Sequence, residues 1–593
     1  MGQELAKSPV VVISEAIGRA VAAQDWLYDV LTPDFSVEHP RDEAHGDYST
    51  NVAMLMANKL GKNPREIAQK LVTILQNDPI LSTLIDTTKI EVAGAGFINF
   101  HLKQAFLFNE MLNAKGQKFG ENANLIGKKV MVEYTDPNPF KEMHIGHLMS
   151  NTIGESLTRI LEMQGAEVKR VCYQGDVGLH VAKSIWGLQQ KLKMDSKNLS
   201  DLQGLTLKER IGYLGAAYAY GAGLYETDET AKTAMNEMNG QIYKRTNDQI
   251  NDYYDQGRAW SLEYFETIYA RLGTKFDEYF FESEAGPAGL KVIEEALSKG
   301  VLELGEEGAV VFKGEKYGLH TRVFRNKLGL PTYEGKELGL PQMKYGRWAY
   351  DKSFIVTANE IDEYFKVLLK VLSVISPELG GKTTHLSHGM MKLTTGKMSS
   401  RTGKVVTGEG LLDELKETVL AKMGDPSSPR QGRDIKNKDV IADQVAVGAL
   451  KYTVLRQALG GDIVYEPEKM TNLEGNTGPF IQYTFARATS ILRKFTLRER
   501  PLKSEVLNEQ EQSILRWLYR YPEVVAEAGV NYAPHLVSTY IYELASRFNS
   551  FYQACRVEEN GEVNALRFEL TQATANVLKN GLGLLGIQAP EEM

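Results

Sequence analysis

The order of secondary structure in residues 130–174 constrains the fold of this chain more than any other feature. VMVEY, residues 130–134, is a β-rich run. Apolar residues then recur at helical spacing over residues 145–163, and Gly165 ends that pattern before VKRVCYQ, residues 168–174, returns to a strand pattern. A strand, a helix and a second strand in this order form a unit whose strands are parallel. We therefore predict an α/β domain built on a parallel sheet.

The regions on either side of this unit have different patterns. Helical spacing from Pro64 to Leu75 and short β-rich runs such as residues 90–102 indicate a mixed segment before it. Two further strands are predicted at 353–358 and 384–389, and the chain beyond about residue 430 has helical spacing almost throughout. The predicted order is α+β, then α/β, then all-α.

The composition is typical of a globular protein in a reducing compartment. Lys and Arg total 68 and Asp and Glu total 76, so the net charge is −8, which by itself argues against a nucleic-acid partner. The two cysteines, Cys172 and Cys555, are too few for a disulfide framework. No apolar run reaches the roughly 18 residues of a membrane helix, and the first residues do not resemble a signal peptide. We expect a cytoplasmic protein without a membrane partner.

Three short patterns resemble known sites but lack the necessary context. GLGLLG, residues 581–586, matches a dinucleotide-binding pattern, but a helical pattern precedes it, so we predict a C-terminal helix and turn. GKT, residues 381–383, would need a glycine where Ser376 stands to be a phosphate-binding loop. No metal site is predicted, because no cysteine or third histidine lies close in sequence to the H-x-x-H pairs His144/His147 and His385/His388.

The segment PNPFKEMHIGH, residues 137–147, is the strongest chemical signal. His144 and His147 flank Gly146 where the predicted strand gives way to a helix N-terminus. Such an end offers free N–H groups and a positive dipole to a phosphate, and two imidazoles add donors. Gly146 would let a nucleotide approach the backbone closely. The alternative is a helix that simply begins with polar residues.

A second segment, KLTTGKMSSRTGKVV, residues 392–406, is a loop rich in Gly, Thr and Ser with four cations. Mobile cations near a triphosphate can neutralise the charge that moves onto a leaving pyrophosphate. On its own, the loop would be interpreted as a solvated basic loop.

Together these segments resemble the HIGH and KMSKS signatures of class I aminoacyl-tRNA synthetases. The sequence of residues 132–148, VEYTDPNPFKEMHIGHL, resembles the corresponding segment of the arginyl-tRNA synthetase family specifically. Further segments resemble that family's N-terminal domain (39–57 and 93–102) and its helical anticodon-binding domain (475–494 and 548–557). The resemblance therefore extends over nearly the whole chain.

The resemblance implies a Rossmann-like parallel-sheet catalytic domain of class I synthetases, an α+β N-terminal domain and an all-α C-terminal anticodon-binding domain. We expect an additional tRNA-binding domain at 1–121, the catalytic domain with helical insertions at 122–430, a helical connection at 431–474 and the anticodon-binding domain at 475–593.

The resemblance also implies the reaction. L-Arginine is activated with ATP, accompanied by Mg²⁺, to arginyl-adenylate and pyrophosphate, and the arginyl group then passes to the 3′ end of tRNA(Arg). In the family the first step generally requires bound tRNA, and the enzymes are commonly monomeric. Catalysis of this kind rests on positioning and charge stabilisation.

Residue roles follow by matching positions to the family. The catalytic set is Lys141, His144, Gly146, His147 and Lys397, with Lys141 expected to replace the charge of the second KMSKS lysine, whose position is held by Ser400. The wider ATP-binding set adds Pro137, Asn138, Ile145, Gly175, Asp176, Met398, Ser399, Ser400 and Arg401.

Recognition of arginine requires hydrogen-bond acceptors for its guanidinium group, which is planar and has five N–H donors. The residues matching the family's substrate positions are Glu133, Asp136, Asn138, His144, Tyr333, Glu337 and Glu360. Tyr333 and Glu337 also suit an exposed turn, and Glu360 also suits a solvated helix start. The family usually has Asp at Glu337, often a small residue at Asp136 and usually Arg at Met149.

Candidate tRNA contacts are Gln482, Tyr483 and Arg487, although helix packing would explain the first two as well. Basic clusters at 392–404 and 487–500 reconcile the charge of −8 with an RNA partner, because binding needs only a local positive surface. The alternatives are a class I synthetase for another amino acid such as lysine, a HIGH-type nucleotidyltransferase, and a non-catalytic RNA-binding paralogue.

Overall fold

A computed structural model describes residues 8–23, 34–393, 407–424, 437–496 and 506–593. The chain divides into two compact units. The first comprises Met1–Phe119, Ile491–Glu523 and Ser546–Val577, and the second comprises Gly120–Ser490, Val524–Ala545 and Leu578–Met593.

The N-terminal segment combines a small antiparallel sheet with helices. Its strands, in the order β1-β2-β4-β3, are β1 (Val37–Glu38), β2 (Tyr48–Thr50), β3 (Glu91–Ala93) and β4 (Phe97–Phe100). Its helices are α1 (Pro9–Ala22), α2 (Val52–Leu60), α3 (Pro64–Leu75), α4 (Leu81–Leu84) and α5 (Gln104–Asn113). The helix predicted from Pro64 to Leu75 is confirmed, and Asn63 caps it by accepting the Arg65 N–H.

Residues 129–470 contain the predicted α/β region. Its strands are β5 (Lys129–Tyr134), β6 (Glu167–Gln174), β7 (Glu278–Phe281), β8 (Glu303–Leu304), β9 (Val310–Phe312), β10 (Arg322–Arg325), β11 (Lys352–Ala358), β12 (Thr383–His388), β13 (Met391–Leu393) and β14 (Ile463–Tyr465). Its helices are α6 (Ile145–Met163), α7 (Leu179–Met194), α8 (Leu207–Thr227), α9 (Glu229–Lys244), α10 (Asp248–Leu272), α11 (Glu282–Ser298), α12 (Tyr333–Arg347), α13 (Asp362–Ile375), α14 (Pro377–Lys382), α15 (Gly408–Gly424), α16 (Lys438–Leu455) and α17 (Pro467–Met470).

The central sheet has five strands in the order β12-β11-β5-β6-β7, and every neighbouring pair is parallel. Helix α6 connects β5 to β6, as the opening strand-helix-strand pattern predicts. Strands β11 and β12 confirm the predictions at 353–358 and 384–389. Because all five strands run the same way, their carboxyl ends meet at one edge, where ligands bind in folds of this type.

Close helix packing brings α12 onto this sheet. A Cβ added to Gly289 of α11 would lie 1.9 Å from the carbonyl oxygen of Gly335 in α12, and one added to Gly339 would lie 2.4 Å from the Gly289 nitrogen. The two backbones therefore touch, which only glycines permit. The apolar core beneath includes Phe280 and Leu338 and is continuous with the sheet.

The C-terminal part is mainly helical, as predicted. Its helices are α18 (Gly478–Lys494), α19 (Glu509–Leu518), α20 (Tyr521–Val530), α21 (Pro534–Ala554) and α22 (Ala565–Leu584), and a hairpin of β15 (Glu558–Glu559) and β16 (Glu562–Val563) precedes the last. GLGLLG forms the end of α22 and a turn with Gly586 at φ 65°, which confirms the helix-and-turn prediction. Within the described ranges no helix is both long and apolar enough to cross a membrane.

Candidate active site

The two histidines of the HIGH segment cap helix α6 reciprocally. His144 precedes the helix, and its Nδ1 accepts the Gly146 backbone N–H at 3.1 Å. His147 Nδ1 accepts the His144 backbone N–H at 3.0 Å. An imidazole nitrogen that accepts a hydrogen bond carries no proton, so each ring is neutral with its proton on Nε2. Gly146 leaves room for the His144 ring, because an added Cβ would lie only 3.0 Å from that ring.

The electrostatic surroundings keep both rings neutral. Desolvation and the nearby Lys141 lower the pKa of His144 to about 4. Desolvation, His144 and Lys141 hold the pKa of His147 well below its usual value. At neutral pH the rings thus serve as Nε2–H donors beside the positive end of α6, which suits an anion such as phosphate.

The loop between β5 and α6 is held in a strained conformation. Thr135 and Asp136 have φ angles of 82° and 45°, values that non-glycine residues seldom adopt. Ser150 of α6 accepts the Thr135 N–H at 2.9 Å and donates to the Val356 carbonyl of β11 at 2.6 Å. Asn151 donates to the Thr135 hydroxyl at 3.0 Å. The neighbouring helix and strand therefore fix this loop, as strained backbone at functional sites requires.

A cavity of about 600 Å³ lies at the carboxyl edge of the sheet. Nine residues predicted from the sequence contribute to its lining: Glu133, Asp136, Asn138, His144, Gly146, His147, Gly175, Tyr333 and Glu337. The structure thus brings the HIGH helix start and most of the predicted arginine-binding side chains into one space. Gly175 leaves room for the Asn138 side chain, because an added Cβ would lie 2.1 Å from its oxygen.

Five carboxylates line the cavity, and three of them have a cationic partner. Glu133 pairs with Lys344 at 3.0 Å, with both side chains at most 2% exposed. Glu282 pairs with Lys336, and Glu334 pairs with Arg322 at 3.5 Å. Burial acts to lower the pKa of Lys344, but Glu133, together with Tyr350 and Glu337, raises it on balance. Lys344 therefore stays charged beneath the cavity.

The other two carboxylates, Asp136 and Glu337, have no cationic partner within ion-pair distance in the part of the chain that the structure describes. Asp136 accepts the Tyr173 backbone N–H at 2.7 Å. Desolvation and the Glu133 charge raise the pKa of both carboxyl groups well above the usual values. A ligand with cationic groups would therefore be stabilised here and would favour their ionised forms.

Several residues with predicted roles lie outside the cavity lining. Lys141 lies with its Nζ 4.4 Å from the ring centroid of Tyr218, close enough to act on both HIGH histidines. Asp176 is fully buried and accepts hydrogen bonds from Tyr254, Arg258 and Ser283, so it anchors the loop that carries Gly175.

Pro137 and Ile145 are buried in the loop and the first turn of α6. Glu360 is exposed in the short 3-10 turn after β11 and does not line the cavity. Its assignment to arginine binding stays a prediction that this position does not support. The KMSKS-like residues Lys397, Met398, Ser399, Ser400 and Arg401 lie outside the described residues.

Thr407 and Gly408, which follow the KMSKS-like segment, lie beside the HIGH loop. Gly408 donates its N–H to the Met143 carbonyl at 2.7 Å, and Thr407 forms a bridge with His144. The residues that directly follow the KMSKS-like segment are therefore fixed next to the capping histidines.

The candidate tRNA contacts lie on α18. Gln482 is fully buried, and its amide donates to the carbonyls of Gln444 and Gln588 at 3.2 and 2.8 Å. This packing role accounts for Gln482 without RNA. Arg487 donates to the Tyr483 hydroxyl at 2.7 Å and lies 4.5 Å from its ring centroid, and both side chains are partly exposed.

The sequence interpretation missed the cavity residues Glu282 and Tyr173, and it missed Lys344, which lies beneath the cavity as the partner of Glu133. Glu282 and Tyr173 come from the carboxyl ends of β7 and β6, where a parallel sheet places functional groups, and this rule could have indicated them. Lys344 follows Glu337 by seven residues in a helical segment, which puts both on one face. No local motif marks any of the three.

Three family models match the chain: "Arginyl tRNA synthetase N terminal domain" over residues 11–102, "tRNA synthetases class I (R), catalytic domain" over 108–466 and "DALR anticodon binding domain" over 481–593. The catalytic model alone covers more than half of the chain. The chain belongs to the class I arginyl-tRNA synthetases.

Relatives of the same family match over almost their full lengths. An "Arginine--tRNA ligase" of Porphyromonas gingivalis is 30% identical, covering 98% of this chain and 100% of the relative. One of Flavobacterium psychrophilum is 29% identical, covering 96% and 97%. The arginyl-tRNA synthetase structure of Thermus thermophilus shares the fold, with a TM-score of 0.77 at 24% identity, covering 98% and 100%. That of Plasmodium falciparum has a TM-score of 0.77 at 20% identity, covering 98% and 99%.

The predicted fold class is therefore confirmed: an arginyl-tRNA synthetase with an α/β catalytic domain on a parallel sheet, an N-terminal domain with a small sheet and a helical C-terminal domain. The predicted family is confirmed as well, and with it the class of enzyme.

Proposed function

We propose that this chain is an arginine–tRNA ligase that activates L-arginine with ATP and transfers it to the 3′ end of tRNA(Arg) for translation. One observation supports this proposal more than any other. The cavity that begins at the histidine-capped end of α6 contains two partly buried carboxylates, Asp136 and Glu337, without a cationic partner among the described residues. Arginine has two cationic groups, the α-ammonium and the guanidinium.

In the first step, a carboxylate oxygen of arginine attacks the α-phosphorus of ATP. A new O–P bond forms, the bond from the α-phosphorus to the bridging oxygen breaks, and pyrophosphate leaves with that oxygen. In the second step, a hydroxyl of the terminal tRNA ribose attacks the arginyl carbonyl, and AMP leaves. The protein performs no covalent chemistry of its own, so positioning and charge stabilisation account for catalysis.

The HIGH histidines bind phosphate in this account. Two kinds of donor are available to the phosphate: the Nε2–H groups of His144 and His147, and the free N–H groups at the start of α6. Both rings are neutral at neutral pH, so each Nε2 keeps its proton. Lys141 supplies a mobile cation near them, and Lys397 acts on the pyrophosphate side. Asn138 and Gly175, which line the cavity, are further ATP contacts, and Met398, Ser399, Ser400 and Arg401 of the KMSKS-like segment complete the set. The buried Pro137, Ile145 and Asp176 of the predicted set act by positioning the loops and the helix start.

Arginine lies in the acidic half of the cavity. Glu337, with Tyr333 one helical turn away, accepts hydrogen bonds from the guanidinium, while Asp136, Asn138 and Glu133 hold the backbone end near His144. Glu360 belongs to the predicted set, but it is exposed and outside the cavity lining, so we assign it no direct contact with arginine. Lysine has a point charge without a planar fork, so it would leave acceptors unpaired.

The remaining assignments follow from the family. Mg²⁺ accompanies ATP, since this ion is usually bound largely by substrate phosphates and water. The domains are those predicted, at 1–121, 122–430, 431–474 and 475–593. Tyr483 and Arg487 are better candidates for tRNA contact than the buried Gln482. We also propose a monomer that acts in the cytoplasm.

Aminoacylation of total tRNA with each standard amino acid tests the proposal. We expect charging with arginine alone, on tRNA species with arginine anticodons. Charging with lysine would favour another class I specificity, and adenylyl or cytidylyl transfer to a small molecule without tRNA charging would indicate a HIGH-type nucleotidyltransferase. A chain that binds tRNA without charging it would be a non-catalytic paralogue.

A further inference from the structure

Tyr173 lines the cavity, and none of the predictions assigned it a role. It is the penultimate residue of β6, its ring belongs to the apolar core with Met131 and Phe280, and only 6% of the residue is exposed. Its hydroxyl is buried and has no hydrogen-bond partner among the residues that the structure describes. A buried hydroxyl without a partner is unfavourable, so one in a cavity wall points to a ligand.

Other buried tyrosines in the same region have a partner within the protein. Tyr134 donates to Glu155 at 2.7 Å, Tyr254 donates to Asp176 at 3.0 Å, and the Tyr269 hydroxyl lies 3.7 Å from Cys172 Sγ. None of these three residues lines the cavity. Tyr173 differs from them both in its position and in its unpaired hydroxyl.

Acidic side chains surround Tyr173, and a backbone hydrogen bond holds it in place. Burial, followed by the nearby charges of Glu282, Glu337 and Glu133, raises the pKa of its hydroxyl well above the usual value. It therefore stays protonated. Its backbone N–H donates to Asp136 at 2.7 Å, which ties the strand to the strained loop.

We propose that the Tyr173 hydroxyl is a ligand of the arginine side chain, accepting one guanidinium N–H and donating its own proton to a nearby carboxylate, Glu282 or Glu337. The inference rests on the proposed function. A guanidinium has five donors, and two carboxylate oxygens of Glu337 cannot satisfy all of them. A hydroxyl that accepts from the substrate and donates to a carboxylate adds an acceptor without adding negative charge to a crowded acidic site.

This contact makes Tyr173 a specificity-determining residue. A substrate that lacks guanidinium donors would leave the hydroxyl and a carboxylate unpaired in a buried site. Sites built to pair with a polar substrate group reject analogues without that group far more strongly than apolar pockets reject a missing methylene.

The test is Tyr173→Phe, which removes one oxygen and keeps the ring, with Tyr269→Phe as the matched control. Tyr269 is also buried, but its hydroxyl lies beside Cys172, outside the cavity. We expect Tyr173→Phe to raise KM for arginine by about 10-fold to 100-fold, as loss of a bond to a charged group does, with KM for ATP within about twofold. Tyr269→Phe should leave both constants near wild type.

Competitive inhibitors identify which part of arginine is contacted. The inhibition constant of agmatine, which retains the guanidinium, should rise with Tyr173→Phe by the same factor as KM for arginine. That of L-norvaline, which lacks the guanidinium, should not change. An unchanged KM for arginine, or equal losses for agmatine and norvaline, would overturn the assignment. A wild-type enzyme that does not use arginine would instead refute the proposed function, whatever the variant does.

Discussion

The imidazole rings of His144 and His147 stack with their centroids 3.7 Å apart, and each accepts a backbone N–H at the start of α6. The two rings therefore have two tasks on different nitrogens. Nδ1 caps the helix, and Nε2–H remains available to a ligand. This division makes the structural and the chemical contributions separable by mutation.

His147→Asn and His147→Gln should separate the two tasks. The Asn oxygen reproduces the acceptor at Nδ1 but not the donor at Nε2, so we expect wild-type thermal stability and an adenylation rate lowered by about 10²-fold. His147→Gln should keep a donor near Nε2 but lose the cap, which costs about 1 kcal/mol of stability. Calorimetry and single-turnover adenylation measure both effects. Wild-type activity in His147→Asn would exclude a role for Nε2–H.

The buried pair Lys344–Glu133 should be strongly coupled. Lys344→Met leaves the Glu133 carboxylate without its cation, and we expect a loss of about 3–5 kcal/mol in the free energy of unfolding. Lys344→Met combined with Glu133→Gln should recover most of that stability, because no uncompensated charge remains. Denaturant unfolding of the two single variants and the double variant measures the coupling. Additive losses would show that the pair does not act as a unit.

Lys141 is proposed to supply the charge that Ser400 lacks. Lys141→Ala should then slow arginine activation about as much as Lys397→Ala, by on the order of 10²-fold, while KM for arginine changes little. Lys141→Arg should retain more activity than Lys141→Ala, because the positive charge remains. Pre-steady-state kinetics of pyrophosphate release provide the rates. A Lys141→Ala enzyme with the wild-type rate would refute this role.

Lys451 holds the turn after α22 and should make stability depend on pH. Its Nζ donates to the carbonyls of Leu272 and Gly586 at 2.6 and 2.8 Å, and burial lowers its pKa to about 7. Above that pH the folded chain has lost a proton that the unfolded chain keeps up to about pH 10. Stability contributed by this residue therefore rises with pH in that window.

Relative to Lys451→Met, the wild type should gain about 2 kcal/mol in unfolding free energy between about pH 7 and about pH 9. Comparison with the variant cancels the other titrating groups. A difference that stays constant over this range would contradict the lowered pKa of Lys451.

The sequence predicted those parts of the site that are contiguous. The strand-loop-helix unit and the histidines at its helix start lie within residues 130–163, so local periodicity was sufficient. Glu282 and Tyr173 in the cavity wall, and Lys344 beneath it, come from separate strands and helices that only the tertiary fold brings together. Burial also decides between readings that the sequence left open: Glu337 lines the cavity, Glu360 is exposed, and Gln482 is packed inside.

Amino-acid-dependent exchange of pyrophosphate into ATP, with and without total tRNA, tests the central claim most directly. Our account predicts exchange that depends on arginine, because Asp136 and Glu337, which have no cationic partner among the described residues, line the cavity beside the start of α6 and suit a cationic amino acid with a planar guanidinium group. It also predicts that exchange requires tRNA, as the family resemblance implies. Exchange with lysine but not with arginine, in the presence of tRNA, would contradict it.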